Sequence, residues 1–345
     1  MATMQEVATH AGVSIATVSF VVNGTKNVSP ATRERVQASM NALGFRNNAI
    51  ARALASKRTR IIALLIPSIE HRMRSTAIEF FTSAASRASD LGYHLVLWPD
   101  DTTGDDLTGL ISSGLVDGVI LMEVKMDDPR VDKLTELKVP FTSIGRTRDT
   151  AGLPFVDIDF ETTVRDSLDY FEELGHRRFG LVIEDLERTP MAGYAPHLRT
   201  ESTFRALCDE RGLAATVVNC GPSTPGGRQA ASDLLAADPD VTAVLIMKDD
   251  STFGLLLGLA ASGRRVPDDV SVLSIASSTA EGDRHDPVLS TMNSPSRQLG
   301  RLAAEALIRQ LDGSDAELPH VLLPCVLHAA GSTGPAPRSA LGGLQ

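Results

Sequence analysis

The stretch that decides the fold is residues 4–24, which read Met-Gln-Glu-Val-Ala-Thr-His-Ala-Gly-Val-Ser-Ile-Ala-Thr-Val-Ser-Phe-Val-Val-Asn-Gly. Apolar side chains recur at helical spacing on both sides of Gly12, and this glycine permits a turn that a residue with a β-carbon resists. Ser14 follows as a candidate N-cap, because its hydroxyl can accept a hydrogen bond from a free backbone amide. The pattern predicts two short helices joined by a tight turn.

A third amphipathic segment follows at residues 30–43. Ser29 is its candidate N-cap, Pro30 occupies the first helical position and Gly44 ends it. Three helices within residues 1–46 predict an all-α helix-turn-helix domain, whose second helix would enter the major groove of DNA. Periodicity alone would fit any three-helix miniature core equally well.

The charge of the chain is divided unevenly along its length. Residues 1–60 contain eight Lys and Arg against two Glu, a net charge of +6, whereas the remainder has 25 basic and 41 acidic residues, a net charge of −16. A basic N-terminal segment on an acidic body favours contact between that one end and phosphate groups.

Residue identities separate the two interpretations of the three helices. The string V-A-x-x-A-G-V-S-x-A-T-V-S at 7–19, followed by T-R-E-R-V at 32–36 and L-G-F-R-x-N-A-I-A-R-x-L at 43–54, resembles the start of the lac repressor and galactose repressor (LacI/GalR) family. This resemblance implies a homodimeric repressor that binds a palindromic operator in double-stranded DNA. It also implies that a small-molecule effector modulates the DNA affinity. Because the sequence has no apolar signal core and no apolar run long enough to span a membrane, we expect a cytoplasmic, nucleoid-associated protein.

The candidate DNA contacts lie on the second helix, the turn after it, the third helix and the segment beyond. They are Ser14, Ile15, Ala16, Thr17, Ser19, Phe20, Asn23, Lys26, Arg33, Arg52, Leu54 and Ala55. Where many family members carry a polar residue or arginine, this chain has Phe20. Ile15 and Ala16 cannot form the bidentate hydrogen bonds that read purine edges. We therefore expect contacts to thymine methyl groups together with shape readout, or else packing of Phe20 in the small core.

Residues 47–59 are predicted to form a hinge helix or linker. They are alanine-rich and too short to be stable as a lone helix in water. In the family, this segment becomes helical on the operator, and paired hinges insert a leucine into the minor groove. Leu54 occupies that position here, and such an apolar wedge would kink the duplex. A flexible linker with an incidental leucine is the alternative.

From residue 60 the chain alternates short apolar runs with amphipathic helices, which predicts an α/β body of buried parallel strands over residues 60–330. We expect strands at 61–66, 94–98, 118–122, 141–144, 155–158, 179–183, 216–218, 243–247 and 272–275. The resemblance implies two flavodoxin-like subdomains of periplasmic-binding-protein type, with chain crossings near 160, Thr291 and Pro324. These boundaries give an N-subdomain of about 60–159 and 292–323 and a C-subdomain of about 160–291 and 324–330. Residues 331–345 have no packing pattern and are predicted to be a disordered tail.

A ligand cleft is expected between the two halves, at the carboxyl ends of the strands. Its candidate effector contacts are His71, Arg72, Arg146, Arg199, Lys248, Asp249 and Ser277. Their cationic members favour an anionic or polyol ligand, such as a sugar, a sugar derivative or another polar metabolite. The aromatic residues and the aspartate with which the family often binds sugar are replaced here, so an orphan regulator with an altered cleft is an alternative. The residues around His71 would equally fit a solvated loop.

Other functional classes lack their signatures in this sequence. The three cysteines are scattered without metal-site or redox spacing, and no phosphate-binding loop, nucleophile elbow or zinc-protease motif occurs. No run of about 18 apolar residues occurs, and the first residues do not form an apolar signal core. We expect a regulator without enzymatic activity, metal, cofactor or membrane partner. A solute-binding protein or an enzyme that uses the two-lobed body is the alternative.

Overall fold

The fold was obtained as a computed structural model, which describes residues 2–23, 26–45, 58–67, 75–100, 103–247, 249–313 and 318–337. The chain divides into two compact units, Met1–Arg60 and Ile61–Gln345. We call them the head and the body.

The head consists of helices α1 (Met4–Ala11), α2 (Ile15–Asn23) and α3 (Pro30–Ala42). A capping box starts α1, because the Glu6 amide donates to Thr3 Oγ1 at 3.3 Å and the Thr3 amide donates to Glu6 Oε2 at 2.7 Å. Gly12 ends α1 with φ +62°, in the left-handed region that favours glycine. The Thr17 amide donates to Ser14 Oγ at 3.1 Å, which confirms the predicted cap of α2.

A small apolar core joins the three helices of the head. Its buried members are Val7, Ala8, Ala11, Val18 and Val36, one or more from each helix. The Thr32 amide donates to Ser29 Oγ, and Pro30 follows as the first residue of α3, as predicted. The local signals of capping, turn and periodicity therefore agree with the tertiary packing of this unit.

The body contains twelve strands and nine helices in its described part, in the following order. The first portion is β1 (Ile61–Pro67), α4 (Ser75–Asp90), β2 (His94–Asp100), α5 (Asp105–Ser112), β3 (Gly118–Leu121), α6 (Pro129–Glu136), β4 (Phe141–Ile144) and β5 (Phe155–Ile158). The second is α7 (Phe160–Glu173), β6 (Arg178–Glu184), α8 (Ala195–Glu210), β7 (Ala214–Cys220), α9 (Thr224–Ala237), β8 (Ala243–Ile246), α10 (Asp249–Ala261), β9 (Ser271–Ser277), α11 (Thr279–Gly282) and β10 (Ser290–Asn293). The last is α12 (Ser296–Leu311), β11 (His320–Leu323) and β12 (Val326–His328).

Two six-stranded sheets organise these elements, which confirms the predicted α/β class with two parallel-sheet subdomains. The first sheet has the order β11-β5-β4-β3-β1-β2 and is parallel throughout. The second has the order β12-β10-β9-β8-β6-β7, and only β12 runs antiparallel to its neighbour. We call the two subdomains the first and the second lobe.

Helices cover both faces of each sheet, so the central strands are continuous apolar runs. In β1, Ile62 to Ile66 are completely buried, and in β8 Ala243 to Ile246 are too. Complete burial of a Leu or Ile side chain contributes about 1.5–3 kcal/mol. These strands therefore supply much of the stability of their lobes.

The chain passes between the sheets three times. It leaves the first sheet after β5, returns after β10 when α12 packs against α4 and β3–β5, and leaves again between β11 and β12. The nine predicted strands are all present, whereas β10, β11 and β12 were not predicted as strands.

The prediction of a disordered tail is wrong for residues 331–337. Ser332 is completely buried, its hydroxyl donates to the Val272 carbonyl at 2.6 Å, and it accepts from the Ser290 amide at 2.7 Å. The Ala336 amide donates to the Leu174 carbonyl at 2.8 Å. These contacts use hydroxyl and backbone groups, so the segment has no apolar periodicity to mark it. We call residues 331–337 the C-terminal strap.

Candidate functional site

The head exposes the first turn of α2. Ile15 is 45% exposed and Ala16 is also exposed, while Val18 is completely buried beneath them. The Ser14 and Thr17 hydroxyls lie 2.9 Å apart at the helix start. Because the core holds the opposite face of α2, this turn presents small and apolar side chains outward.

Further along α2, an aromatic ring pairs with the cation of the turn that follows this helix. The Lys26 ammonium lies 5.0 Å from the centroid of the half-buried Phe20 ring, and Phe20 lies outside the described core cluster of the head. The structure therefore favours the surface position of Phe20 over packing in the small core. Ser19 is half-buried and Arg33 is exposed on α3.

The remaining predicted DNA contacts lie outside the described part of the structure. Asn23 is the last residue of α2, but its side chain lies outside the described part of the structure. Arg52, Leu54 and Ala55, together with the rest of 46–57, also lie outside the described residues.

The body contains a cleft between its lobes, with a volume of about 800 Å³ including its open mouth. Both lobes and both crossing segments near β5 and β10 contribute to it. The apolar lining is Ala77, Phe80, Met122, Ile158, Phe160, Met247, Ile275 and Ala276. The polar lining is Thr76, Glu123, Glu184, Tyr194, His197 and Ser294.

The described lining of the cleft carries carboxylates rather than the expected arginines. Glu123 comes from the first lobe, and Glu184 and His197 come from the second. Glu123 and Ala276 both have φ +55°, in the left-handed region that non-glycine residues rarely adopt. Such backbone conformations cluster where a fold presents groups to a ligand.

Arg146 and Arg199 lie in an ion-pair network rather than in the described lining. Arg146 Nη2 lies 2.5 Å from one oxygen of Glu161, and Arg199 Nη1 lies 3.2 Å from the other. Glu161 is the second residue of α7, and it links an arginine of the first lobe to an arginine of the second. This network differs from the expected role of both arginines as effector contacts, because each guanidinium already pairs with Glu161.

Asp157 is a buried acid beside this network. Its carboxylate lies 3.3 Å from Arg146 Nε and accepts from the Ile158 amide at 2.8 Å. Burial raises the pKa of Asp157 to about 7, and the nearby Arg146 only partly offsets this effect.

Arg130 was not anticipated from the sequence, although it is the largest completely buried side chain described. Its guanidinium donates to Asp128 and Asp100 and also to the carbonyls of Met122 at 3.1 Å and Glu123 at 2.9 Å. Burial opposes its charge, but the two carboxylates raise the pKa of Arg130 above its usual value. This arginine therefore fixes the loop that carries Glu123 into the cleft.

The other predicted effector residues fall into two groups. Ser277 is completely buried at the end of β9, where its carbonyl accepts from the Ser294 amide at 2.9 Å, and its neighbour Ala276 lines the cleft instead. Asp249 begins α10, but its side chain is not described. His71, Arg72 and Lys248 lie outside the described residues.

Two further features bear on the type of site. Within the described ranges, no helix has the length and apolar character needed to cross a membrane. The same residues contain no group of three or more His, Cys, Asp or Glu arranged to hold a metal ion.

Comparison with known families gives two matches. Residues 3–48 match the family described as bacterial regulatory proteins, lacI family, and residues 168–333 match the periplasmic binding protein-like domain. The first match covers the three helices of the head, and the second covers most of the second lobe, the last elements of the first lobe and part of the strap.

Relatives extend the similarity over nearly the whole chain. The HTH-type transcriptional regulator CelR of Thermobifida fusca is 32% identical over 343 residues, which cover 93% of this chain and 95% of that protein. The catabolite control protein A of Priestia megaterium is 29% identical, with coverage of 92% and 96%.

Solved structures agree with these relatives. A transcriptional regulator CelR–cellobiose complex superposes with TM-score 0.69 at 28% identity, covering 96% of this chain and 100% of that one. The lac repressor dimer bound to operator and an anti-inducer gives TM-score 0.79 at 24% identity, with coverage of 96% and 99%, which supports the fold.

Proposed function

The chain belongs to the lacI family of bacterial regulatory proteins, and from this premise we propose that it is a homodimeric repressor of transcription that binds a palindromic operator. It is a DNA-binding transcriptional regulator with an effector-binding body. The observation that carries the proposal is the outward first turn of α2 on a domain of net charge +6. A domain of this geometry and charge fits the major groove and its flanking phosphates.

We assign the head two kinds of DNA contact. Ile15, Ala16 and Phe20 lack bidentate donors and would contact thymine methyl groups. Lys26 and Arg33 would neutralise phosphates on either side of the groove. The hinge contacts of Arg52, Leu54 and Ala55 remain predictions from the resemblance.

We place the effector in the interlobe cleft, where Glu123, Glu184, Tyr194 and His197 are its proposed polar contacts. A CelR structure contains cellobiose, and a sugar or sugar derivative suits a cleft that alternates hydroxyl-binding groups with apolar surface. His71, Arg72, Lys248 and Asp249 remain candidates beside them.

We further propose that the protein acts by binding alone, without catalysis, and that it works in the cytoplasm on the nucleoid, where operators are found. Relatives of the whole chain are transcriptional regulators. A solute-binding role would leave the basic head without a function. An effector changes DNA affinity only by its differential affinity for two arrangements of the body.

The test is selection of genomic DNA fragments by the purified full chain, repeated with candidate sugars. We expect enrichment of a palindromic sequence and a change in enrichment with one sugar. No preference over scrambled duplex under any condition would contradict the proposal. The genes beside the enriched fragments would identify the regulated pathway.

Arginine variants of α3 sharpen this test. Arg33→Ala should weaken binding to all duplexes alike and reduce the slope of log affinity against log salt by about 1. Arg35→Ala is the matched control, because it removes the same exposed charge about 200° around the helix. Equal losses for both variants would show that Arg33 acts only through net charge.

A further inference from the structure

A short backbone bridge joins the two lobes beside the cleft. The Met126 amide donates to the Gly193 carbonyl at 2.8 Å, and the Ala195 amide donates to the Val124 carbonyl at 3.0 Å. Between them, Lys125 and Tyr194 form an isolated antiparallel pair. Residues 124–126 belong to the first lobe and 193–195 to the second, and we call this pairing the interlobe clasp.

The first-lobe half of the clasp is anchored from within. Asp128 accepts the Lys125 amide at 3.0 Å and pairs with Arg130, whose guanidinium also holds the Met122 and Glu123 carbonyls. Arg130 is completely buried, and each of its guanidinium nitrogens donates a hydrogen bond. The first lobe therefore fixes this loop through its own contacts, independently of the second lobe.

The second-lobe half carries its own contact to the first lobe. One turn into α8, Arg199 Nη2 donates to the Thr147 carbonyl at 2.9 Å, while its Nη1 pairs with Glu161. The clasp therefore lies within a larger set of interlobe hydrogen bonds along one side of the cleft.

The clasp is continuous with the cleft lining. Glu123 immediately precedes its first-lobe segment, Tyr194 is the central residue of its second-lobe segment, and His197 follows in the first turn of α8. We propose that the clasp holds the lobes together and thereby sets the separation of Glu123 from Tyr194 and His197, which makes Arg130 and the Ala195 amide positioning groups for the effector. This inference rests on the proposed function only in that the cleft holds the effector.

A single substitution can open the clasp without disturbing α8. Ala195 is the first residue of α8, a position where proline is well tolerated, and Tyr194 before it has φ −56° and ψ 116°, which suits a residue preceding proline. Ala195→Pro removes the amide that bonds Val124 and places a ring carbon against that carbonyl. Ala195→Gly is the matched control, because it retains the amide.

The measurement is the distance distribution between nitroxide labels on the full chain, one in each lobe. Asp132→Cys on α6 and Asp209→Cys on α8 provide exposed sites, whereas the native cysteines are buried. We expect one narrow distribution for the parent and Ala195→Gly, and a broader distribution shifted by several ångströms for Ala195→Pro. Identical distributions for a folded Ala195→Pro chain would overturn the proposal.

Hydrogen exchange of the unmodified protein decides the question if Ala195→Pro fails to fold. The Met126 and Ala195 amides should be protected and should open together, since each depends on the same pairing. Exchange at the rate of free peptide would overturn the clasp. Neither measurement involves DNA or effector, so a negative result here leaves the proposed regulator intact, and a failed operator selection leaves the clasp intact.

Discussion

At the scale of single residues, the body shows how burial competes with charge. The pKa of Asp157 is about 7 although Arg146 lies beside it. Burial of the carboxylate away from water costs more free energy than its attraction to Arg146 contributes. Asp127 pairs with Arg148 on the surface, and that hydrogen-bonded arginine lowers the pKa of Asp127. The carboxyl groups of two similar ion pairs therefore have pKa values that are shifted in opposite directions.

We predict that Asp157→Asn changes the pH dependence of stability. The unfolded chain releases the Asp157 proton near pH 4, whereas the folded chain retains it to about pH 7, so the folded state gains stability from this proton at low pH and loses it as the pH rises. The variant lacks this loss. Its free energy of unfolding relative to the parent should rise by up to about 1.4 kcal/mol per pH unit between pH 5 and 7.

Urea denaturation at pH 5, 6, 7 and 8 measures this difference. Asp127→Asn is the control, since a lowered pKa places its titration below this window, and its difference from the parent should stay constant. Parallel curves for the parent and Asp157→Asn would contradict the assigned protonation.

Single residues also mark the limit of sequence analysis. The cap at Ser14 was predictable because its partner, the Thr17 amide, lies three residues away. Arg130 was not, because its burial depends on Asp100 across 30 positions and on carbonyls of a loop whose path only the fold determines. The pairing of Arg146 and Arg199 with Glu161 was not predictable for the same reason, because it depends on contacts between residues that are distant in the sequence.

At the scale of elements, α9 and α10 pack with their backbones in contact. A β-carbon on Gly254 would lie 2.0 Å from the Thr224 carbonyl oxygen, and one on Gly227 would lie 1.9 Å from that of Ser251. Each helix contributes glycine where the other comes closest, so the separation of the helices depends on the absence of side chains there.

We predict that Gly254→Ala destabilises the body by at least about 2 kcal/mol, because the added methyl group meets backbone that cannot rotate away. Thermal denaturation of the full chain measures this effect. The control is Gly109→Ala in α5, where a β-carbon has nothing within 4 Å and alanine should stabilise by roughly 0.5–1 kcal/mol through helix propensity. Equal effects of the two substitutions would show that α9 and α10 are free to separate.

Strands differed in how well the sequence predicted them. Central strands such as β1 and β8 are apolar on both faces and stand out in the sequence. The short edge strands β11 and β12 are partly exposed, and β12 has three residues, all of them exposed. Their strand conformation comes from pairing with β5 and β10, which no local pattern reveals.

At the scale of the whole molecule, charge separation and repeated chain crossing have different origins in the sequence. The basic head and acidic body follow from composition alone. The interlobe clasp pairs residues of the two lobes that are distant in the sequence, such as Lys125 and Tyr194. Only the fold brings them together, so the sequence did not predict the clasp. A cleft lies between the lobes, as expected, but the acidic side chains in its described lining were not anticipated.

The C-terminal strap packs against the second lobe through hydrogen bonds rather than through apolar side chains. Gly334 accepts from His176 Nε2 at 3.0 Å, Thr333 pairs with Ser290, and Ser332 bonds both Ser290 and Val272. A carbonyl only accepts, so His176 carries a proton on Nε2, and burial lowers the pKa of His176.

Deletion after residue 330 should therefore cost several kcal/mol, since it leaves buried groups of His176 and Ser290 without these partners at about 1–3 kcal/mol each. Deletion after residue 337 is the control, because it retains residues 331–337 and the contacts described for them. Urea denaturation compares the two, and hydrogen exchange should locate the loss in β9 and β10. Because the strap is held by hydrogen bonds to buried polar groups, equal stability of the two truncated chains would require water to replace every one of them.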